Sequence, residues 1–150
     1  MEHISVLHKD KVLKKATVHL SIPTLKQGKR VYLELCASVI SQQLSTVVAT
    51  VIHKRFLNLF PDPYPTPEAI LQIPTDTLRS IGLSANKASY IHNICAFFVA
   101  HELNDRKLYK MSDEDLIDLL SQIKGVGQWT VEMLLIFAMG RLDVFAADDL

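Results

Sequence analysis

The sequence is poor in cysteine, and this scarcity bears on both disulfide bonds and metal clusters. Only two cysteines, Cys36 and Cys95, occur in 150 residues, and they form no Cys-x-x-Cys pair. We expect both to be buried free thiols in a reducing compartment, because each lies in an apolar, helix-like stretch. The six histidines show no His-x-x-x-His spacing. No metal site is therefore predicted.

Long apolar runs and secretion signals are also missing. Hydrophobic residues make up 49% of the sequence, but no run approaches the roughly 20 residues that a membrane helix needs. The stretch Met1–Ser5 lacks the basic-then-apolar pattern of a secretion signal. We expect a protein that is not secreted and does not associate with a membrane.

Segments with the strict alternation typical of strands are absent as well. Apolar residues instead recur at helical intervals, as in Val31, Leu35 and Val39. The predicted fold class is all-α, and residues 1–150 have a length that suits one helical domain. This class excludes most hydride-transfer and phosphoryl-transfer scaffolds, which are built on a parallel sheet.

The net charge is zero, but the charges are unevenly distributed. Residues 1–60 hold 9 Lys/Arg against 3 Asp/Glu, whereas residues 61–150 hold 7 against 13. A basic N-terminal part of this kind can lie along a phosphate backbone. A solvated surface with no partner is the alternative interpretation.

A helix–hairpin–helix is predicted at about residues 112–139. Ser112 is a candidate N-cap with three carboxylates in the first turn, and apolar residues follow at helical spacing up to Ile123. Gly125 and Gly127 then allow a tight turn and a close approach of the backbone to another molecule. Unpaired N–H groups at the start of the second helix suit a phosphate. The alternative is a glycine-rich connection between two packed helices.

The chain contains four stretches, in order, that resemble one known family. These are residues 39–46 (Val-Ile-Ser-Gln-Gln-Leu-Ser-Thr), 82–88 (Gly-Leu-Ser-Ala-Asn-Lys-Ala), 125–130 (Gly-Val-Gly-Gln-Trp-Thr) and 144–149 (Val-Phe-Ala-Ala-Asp-Asp). Their order and spacing resemble the helix-hairpin-helix DNA glycosylase superfamily, and within it the DNA-3-methyladenine glycosylase II, or alkylbase glycosylase, branch. The resemblance implies the fold of that family without its C-terminal helices, since the chain ends at Leu150.

Asp149 is the candidate catalytic residue, with Asp148 as the second choice. We expect the apolar run Val144–Ala147 to pass through the core and to deliver this carboxylate pair to the surface. The residues alone favour an N-cap role for one aspartate, and capping is compatible with catalysis because a helix start keeps a carboxylate ionised. The resemblance implies that Asp149 stabilises positive charge on the sugar while the base departs.

Trp129 and Met133 are the residues that the resemblance places in the pocket for the damaged base. An electron-rich indole suits a positively charged alkylated purine, although a buried core tryptophan is the alternative. Relatives that also cut the DNA strand have a lysine nucleophile at the position of Trp129. Its replacement by tryptophan predicts a monofunctional glycosylase that leaves an abasic site.

The resemblance also assigns residues that contact the DNA duplex. Gln43, or else Gln42, is expected to fill the space of the everted base, although exposed or capping glutamines are the better interpretation without the family. The DNA phosphates are expected to contact two turns, formed by Gly125, Val126, Gly127, Gln128 and Thr130 in the hairpin and by Ser84 and Lys87 in a second, degenerate hairpin.

The function implied is base excision repair of double-stranded DNA that contains alkylated purines of the 3-methyladenine and 7-methylguanine class. We expect a monomer without a cofactor, in the cytoplasm of a bacterium or archaeon or in a eukaryotic nucleus. The family allows a monovalent cation on the hairpin carbonyls, which nothing in the sequence requires. The alternative function is that of a non-catalytic helix-hairpin-helix module that binds DNA.

Overall fold

The protein is helical throughout the part of the chain that the computed structural model describes, residues 2–20 and 28–147, and contains no strand there. Ten α-helices and one π-helical segment follow one another in these ranges. They are α1 (Glu2–Leu7), α2 (Lys11–Thr17), α3 (Val31–Ser41), α4 (Thr46–Leu57), α5 (Pro67–Leu71), α6 (Thr75–Ser80), α7 (Ala85–Ala100), α8 (Asp105–Leu108), α9 (Asp113–Leu120), α10 (Gln128–Met133) and the π-helical segment Leu134–Ala138. The all-α prediction is confirmed.

The helix α7 is the centre of the core. It is the longest helix described, and it packs against α3, α5 and α6. Ile91, Ile94 and Cys95 are fully buried on its inner face, at the i, i+3, i+4 spacing that places side chains on one side of a helix. Cys36 of α3 is also fully buried, and both cysteines are free thiols as predicted. A hydrogen bond with Cys95, together with burial, raises the pKa of the Cys36 thiol well above its usual range.

Local side-chain caps set most helix starts. Ser45 Oγ accepts a hydrogen bond from the Val48 N–H at 3.4 Å at the start of α4. The same i to i+3 geometry occurs where Thr66 caps α5 and Ser112 caps α9. Each hydroxyl satisfies one backbone donor that the helix itself leaves unpaired. The break between α3 and α4 therefore has a local cause.

A long-range cap fixes the start of α3. The carboxylate of Asp105 accepts hydrogen bonds from the Arg30 N–H at 2.6 Å and the Val31 N–H at 2.9 Å. Arg30 itself has a positive φ of 65°, and its guanidinium stacks on the Tyr64 ring at 4.0 Å. The contact joins segments that lie 75 residues apart in the sequence. It closes the helical bundle at the end opposite the α3–α4 turn.

The segment after the π-helical segment corrects one prediction. Val144 packs against the core, but Phe145 is 88% exposed, so the run Val144–Ala147 does not pass through the core. Arg141 explains the path, because its Nη2 donates to the Met111 carbonyl at 2.9 Å and holds the chain against the loop before α9. The chain therefore runs along the surface.

The helix α4 leaves several of its apolar side chains exposed. Val47 is 75% exposed and Val51 is 45% exposed, whereas Ile52 and Phe56 carry its buried face. Its valines therefore do not belong to the face that packs on the core. No helix in the described ranges is long and apolar enough to cross a membrane.

Candidate functional site

The hairpin between α9 and α10 has the predicted form. Gly125 adopts a φ of +102°, a conformation that L side chains rarely adopt. Val126 is buried and its N–H donates to the Ile123 carbonyl at 2.9 Å. Gly127 then serves as the N-cap residue of α10. The chain reverses direction within these few residues, and only main chain is presented at its two glycines.

Helix α7 supports this hairpin from beneath. The Tyr90 ring lies against Gly125 so closely that a Cβ at this glycine would be 2.1 Å from Tyr90 Cγ. One turn further along α7, Asn93 Nδ2 donates to the Lys124 carbonyl at 3.0 Å. A ring and an amide of one rigid helix therefore fix the position of the turn. The glycine is required both by its φ angle and by this ring.

The start of α10 is open on its outer side. Gly127 has no side chain with which to cap this helix, and a Cβ built at Gly127 would meet no atom within 4 Å. The first N–H groups of a helix have no partners within it and carry the positive end of its dipole. This turn therefore suits close approach by an anionic group such as a phosphate.

The turn between α3 and α4 projects two glutamines. Gln42 is half-buried and its Nε2 donates to Thr130 Oγ1 at 3.4 Å, which connects this turn to α10. Gln43 is exposed and has a φ of +56°, which costs a non-glycine residue free energy. The backbone thus holds the Gln43 side chain outward in a conformation that it would rarely adopt by itself.

These elements meet around a cleft of about 560 Å³. Its lining residues come from the α3–α4 turn, the start of α7 and the start of α10: Gln42, Gln43, Ser84, Asn86, Lys87, Tyr90 and Trp129. Trp129 is 42% exposed, so the interpretation as a buried core tryptophan is wrong. Five of these residues were predicted from the sequence for three different roles: filling the duplex, contacting phosphate and holding the base. The structure brings all five to one cleft.

Lys87 occupies an unusual position in the floor of this cleft. Its Nζ donates to the Ile40 carbonyl at 2.9 Å and to the Gln42 carbonyl at 2.6 Å, and burial lowers its pKa. Ser84 Oγ accepts a hydrogen bond from the Lys87 N–H at 3.3 Å and so caps α7. The phosphate contacts expected of both residues stay predictions, and both side chains already have partners within the protein.

The remaining predicted residues lie at different distances from the cleft. Met133 is half-buried and does not line it. Thr130 is buried with its hydroxyl turned to Gln42, and Gln128 Nε2 donates to the carboxylate of Glu132 at 2.9 Å. The predicted catalytic residue Asp149, and Asp148 beside it, lie outside the described residues.

Some residues of the site were missed by sequence reasoning. Tyr90 and Asn86 line the cleft and Asn93 bonds to the hairpin, although no sequence motif indicates a role for them. Helical spacing could have placed Asn86, Tyr90 and Asn93 on one face of α7, but no local signal shows that this face meets the hairpin. Glu132 is a buried carboxylate with 7% of its surface exposed. Apart from its position near Trp129, nothing in the sequence indicates that it belongs to the site.

The three carboxylates in the first turn of α9 lie at the end of that helix farther from the hairpin. They are Asp113, Glu114 and Asp115, and the helical rise of about 1.5 Å per residue places the centre of this turn roughly 9 Å from the last residue of α9. Among the described residues, no group of three or more His, Cys, Asp or Glu side chains could hold a metal ion.

Together these features define an all-helical protein in which a glycine hairpin, a glutamine turn and a tryptophan surround one cleft. The chain belongs to the HhH-GPD superfamily of base excision DNA repair proteins, whose family model matches residues 36–150. This match includes the hairpin and every residue that lines the cleft. The resemblance stated from the sequence motifs is thereby confirmed.

Characterised relatives agree with this assignment. The chain is 40% identical over 126 residues to DNA-3-methyladenine glycosylase 1 of Schizosaccharomyces pombe, across 83% of this chain and 55% of that protein. It also resembles the solved structure of the 3-methyladenine DNA glycosylase of that yeast in complex with abasic DNA, with a TM-score of 0.82 and 38% identity over 93% of this chain and 69% of that one.

A bacterial structure is similarly close in fold. The DNA-3-methyladenine glycosidase of Bacillus halodurans has a TM-score of 0.85 and 30% identity over 97% of this chain and 67% of that one. The chain thus spans little more than half of the yeast sequence relative and about two thirds of these two solved structures. The helix-hairpin-helix glycosylase fold predicted from the sequence is confirmed.

Proposed function

We propose that this protein is a monofunctional DNA glycosylase of base excision repair, which hydrolyses the N-glycosidic bond of alkylated purines after base flipping. The observation that carries the proposal is the cleft in which Trp129, Gln42 and Gln43 lie beside the glycine hairpin. A purely DNA-binding module needs the hairpin, but it has no use for an exposed indole facing two glutamines.

Binding begins with the phosphate backbone. The main chain at Gly127 and the positively polarised N-terminal end of α10 provide the surface for one phosphate. A bound hairpin places the glutamine turn against the same stretch of duplex, because the Gln42–Thr130 hydrogen bond joins the two elements. The outward Gln43 side chain then takes the place of the everted base, with its amide able both to donate to and accept from the orphaned partner.

Base eversion costs a few kcal/mol, and a damaged base that pairs poorly leaves the stack more easily. An alkylated purine carries a positive charge, and the face of the Trp129 indole attracts a cation. Such a base is already a good leaving group. The pocket therefore needs an aromatic wall more than a proton donor.

Asp149 is proposed as the catalytic carboxylate, with Asp148 as the second choice. As the bond to the base lengthens, the sugar gains oxocarbenium-like charge, which a fixed carboxylate stabilises most strongly where water is scarce. The same carboxylate orients or deprotonates the attacking water. The products are the free base and an abasic site.

Strand cleavage is not part of the proposed activity. A lyase reaction of this family type proceeds through a Schiff base between a lysine amine and the sugar, and Trp129 offers no amine. Borohydride is therefore expected to trap no covalent complex with abasic DNA.

The proposed partner is double-stranded DNA with alkylated bases, bound by a monomer, in whichever compartment holds the DNA: cytoplasm or nucleus. No cofactor is proposed. A monovalent cation on the hairpin carbonyls is compatible with the mechanism, which does not depend on it.

The decisive experiment measures release of free base from duplexes that contain 3-methyladenine, 7-methylguanine or hypoxanthine. We expect the wild type to release an alkylated purine, and Asp149→Asn to be at least about 100-fold slower because it loses the charge at the transition state. Asp148→Asn should retain most activity. Asp118→Asn is the matched control, since this exposed aspartate of α9 lies away from the cleft.

The alternatives give different results in the same assay. A wild type that binds the damaged duplex but releases no base supports the non-catalytic DNA-binding module. Equal rates for the wild type and Asp149→Asn, with a slow Asp148→Asn, would move the catalytic role to Asp148.

A further inference from the structure

Lys87 is the residue through which two separate parts of the cleft are joined. It belongs to the first turn of α7, yet its ammonium group reaches the main chain of the α3–α4 turn 45 to 47 residues away. The accepting carbonyls belong to Ile40, in the last turn of α3, and to Gln42, the residue after the helix ends. Their distances of 2.9 and 2.6 Å are those of charge-assisted hydrogen bonds.

We propose that Lys87 is a positioning residue that holds the Gln42–Gln43 turn in the shape needed to enter the duplex. This inference rests on the proposed DNA glycosylase function. It assigns Lys87 a role that acts through Gln43 and not through direct contact with a DNA phosphate.

Two effects make an ammonium group at this position stabilising: the dipole of α3 and the backbone conformation of Gln43. The last carbonyls of α3 have no partner within the helix and form the negative end of its dipole, so a cation there is favourable. The turn that follows contains Gln43 at a φ of +56°, which persists only when its surroundings hold it. Lys87 bonds to the residue directly before Gln43, where a constraint has the greatest effect on that φ angle.

The geometry also argues against a phosphate role for this ammonium group. Two of its three donors are already used by short hydrogen bonds within the protein. Burial also lowers its pKa, so the ammonium group is partly shielded from solvent. A lysine that tracks a DNA backbone instead needs a solvated, mobile head group.

Thr130 provides a second, weaker hold on the same turn from the other side of the cleft. Its hydroxyl accepts from Gln42 Nε2 at 3.4 Å, a long neutral hydrogen bond. The short charge-assisted bonds from Lys87 therefore dominate the position of the turn.

The test compares Lys87→Met, Gln43→Ala and the double variant, using a duplex with a tetrahydrofuran abasic analogue opposite 2-aminopurine. The wild type is expected to bind this duplex more tightly than undamaged DNA and to change the 2-aminopurine fluorescence when the glutamine enters. Lys87→Met should bind about tenfold more weakly, as expected for loss of hydrogen bonds from a charged group, and should lose most of the fluorescence change. In the Gln43→Ala background the same substitution should have little further effect.

Salt dependence separates positioning from phosphate binding. Loss of one phosphate contact reduces the slope of log Kd against log salt by about 0.9, whereas loss of a positioning residue leaves the slope unchanged. Lys107→Met is the matched control, because Lys107 also donates to a main-chain carbonyl, that of Glu102 at 2.8 Å, but does not line the cleft. Its binding should remain within about twofold of the wild type.

Several results would overturn the inference. These are unchanged binding by Lys87→Met, additive effects in the double variant, or a reduced salt slope. If Lys87→Met does not fold, Lys87→Gln keeps a neutral donor and should show a smaller defect of the same kind. If the wild type does not prefer the abasic duplex, both the proposed function and this inference fail. If the wild type prefers it and only the Lys87 results differ from expectation, the inference alone fails.

Discussion

Two turns of this protein have similar sequences and backbone conformations but differ in how the helix that follows is capped. The α6–α7 turn and the α9–α10 hairpin each place a glycine at positive φ, +110° at Gly82 and +102° at Gly125, just before a new helix. In the first turn Ser84 caps the helix with its own hydroxyl. In the second, Gly127 occupies the N-cap position and has no side chain with which to cap the helix.

The surroundings of the two glycines differ in the same direction. A Cβ at Gly82 would meet Ile52 Cγ1 at 3.4 Å, an ordinary contact, but a Cβ at Gly125 would enter the Tyr90 ring. The α6–α7 turn is therefore complete within the protein. The hairpin is tightly packed at Gly125, whereas at Gly127 a Cβ would meet no atom within 4 Å, which leaves room for another molecule to approach the main chain.

The largest effect is expected from Gly125→Ala. The substitution places a side chain at positive φ, which costs about 1–2 kcal/mol, and drives a methyl group into the Tyr90 ring, which adds about 1–3 kcal/mol. We expect a fall of roughly 3 kcal/mol in the free energy of unfolding, measured by urea denaturation, together with loss of binding to abasic DNA.

Gly82→Ala is the matched control for that experiment. It imposes the same backbone cost without the clash, so the fall should be only about 1–2 kcal/mol. Equal losses from the two substitutions would show that Tyr90 yields easily and that the hairpin is no more tightly supported than the α6–α7 turn.

Gly127→Ala should affect the ligand and not the fold. No atom lies within 4 Å of the added methyl group, and the φ of −93° is open to alanine. The free energy of unfolding should therefore change by less than about 1 kcal/mol. The methyl group occupies the approach to the helix start, and we expect affinity for an abasic duplex to fall about tenfold or more.

The measurement is fluorescence anisotropy at two or more salt concentrations beside a denaturation curve. Unchanged affinity with unchanged stability would mean that the phosphate does not approach this turn. The contrast between Gly125 and Gly127 would then reduce to packing alone.

The sequence predicted those parts of the fold that depend on near neighbours. Ser112 caps α9 through a residue three positions on, as predicted, and Ser45, Thr66 and Ser84 cap their helices at the same interval. An interval of three residues can be recognised in the sequence. The two-glycine hairpin was predicted for the same reason. The roles of residues in the cleft were predicted only from the family resemblance. The residues by themselves were also compatible with structural or solvent-exposed roles.

Contacts between distant segments could not be predicted in this way. Nothing near Lys87 shows that its partner is the Gln42 carbonyl, and nothing near Asp105 shows that it caps α3 from 75 residues away. The exposure of Phe145 was predicted wrongly, because an apolar run usually indicates burial and the clamp by Arg141 is not visible in the sequence. These contacts depend on how α3, α7 and α9 are arranged in space.

Ser84→Ala has the smallest expected effect and tests whether the α6–α7 turn is only structural. Loss of the hydroxyl removes the cap of α7, so the free energy of unfolding should fall by about 1 kcal/mol. If the hydroxyl acts only as this cap, affinity for the abasic duplex should change by less than about threefold, a free energy below 1 kcal/mol. A tenfold loss of affinity would instead show that Ser84 donates to a phosphate while it caps the helix. In that case both turns contact the duplex, and the difference between them is one of degree.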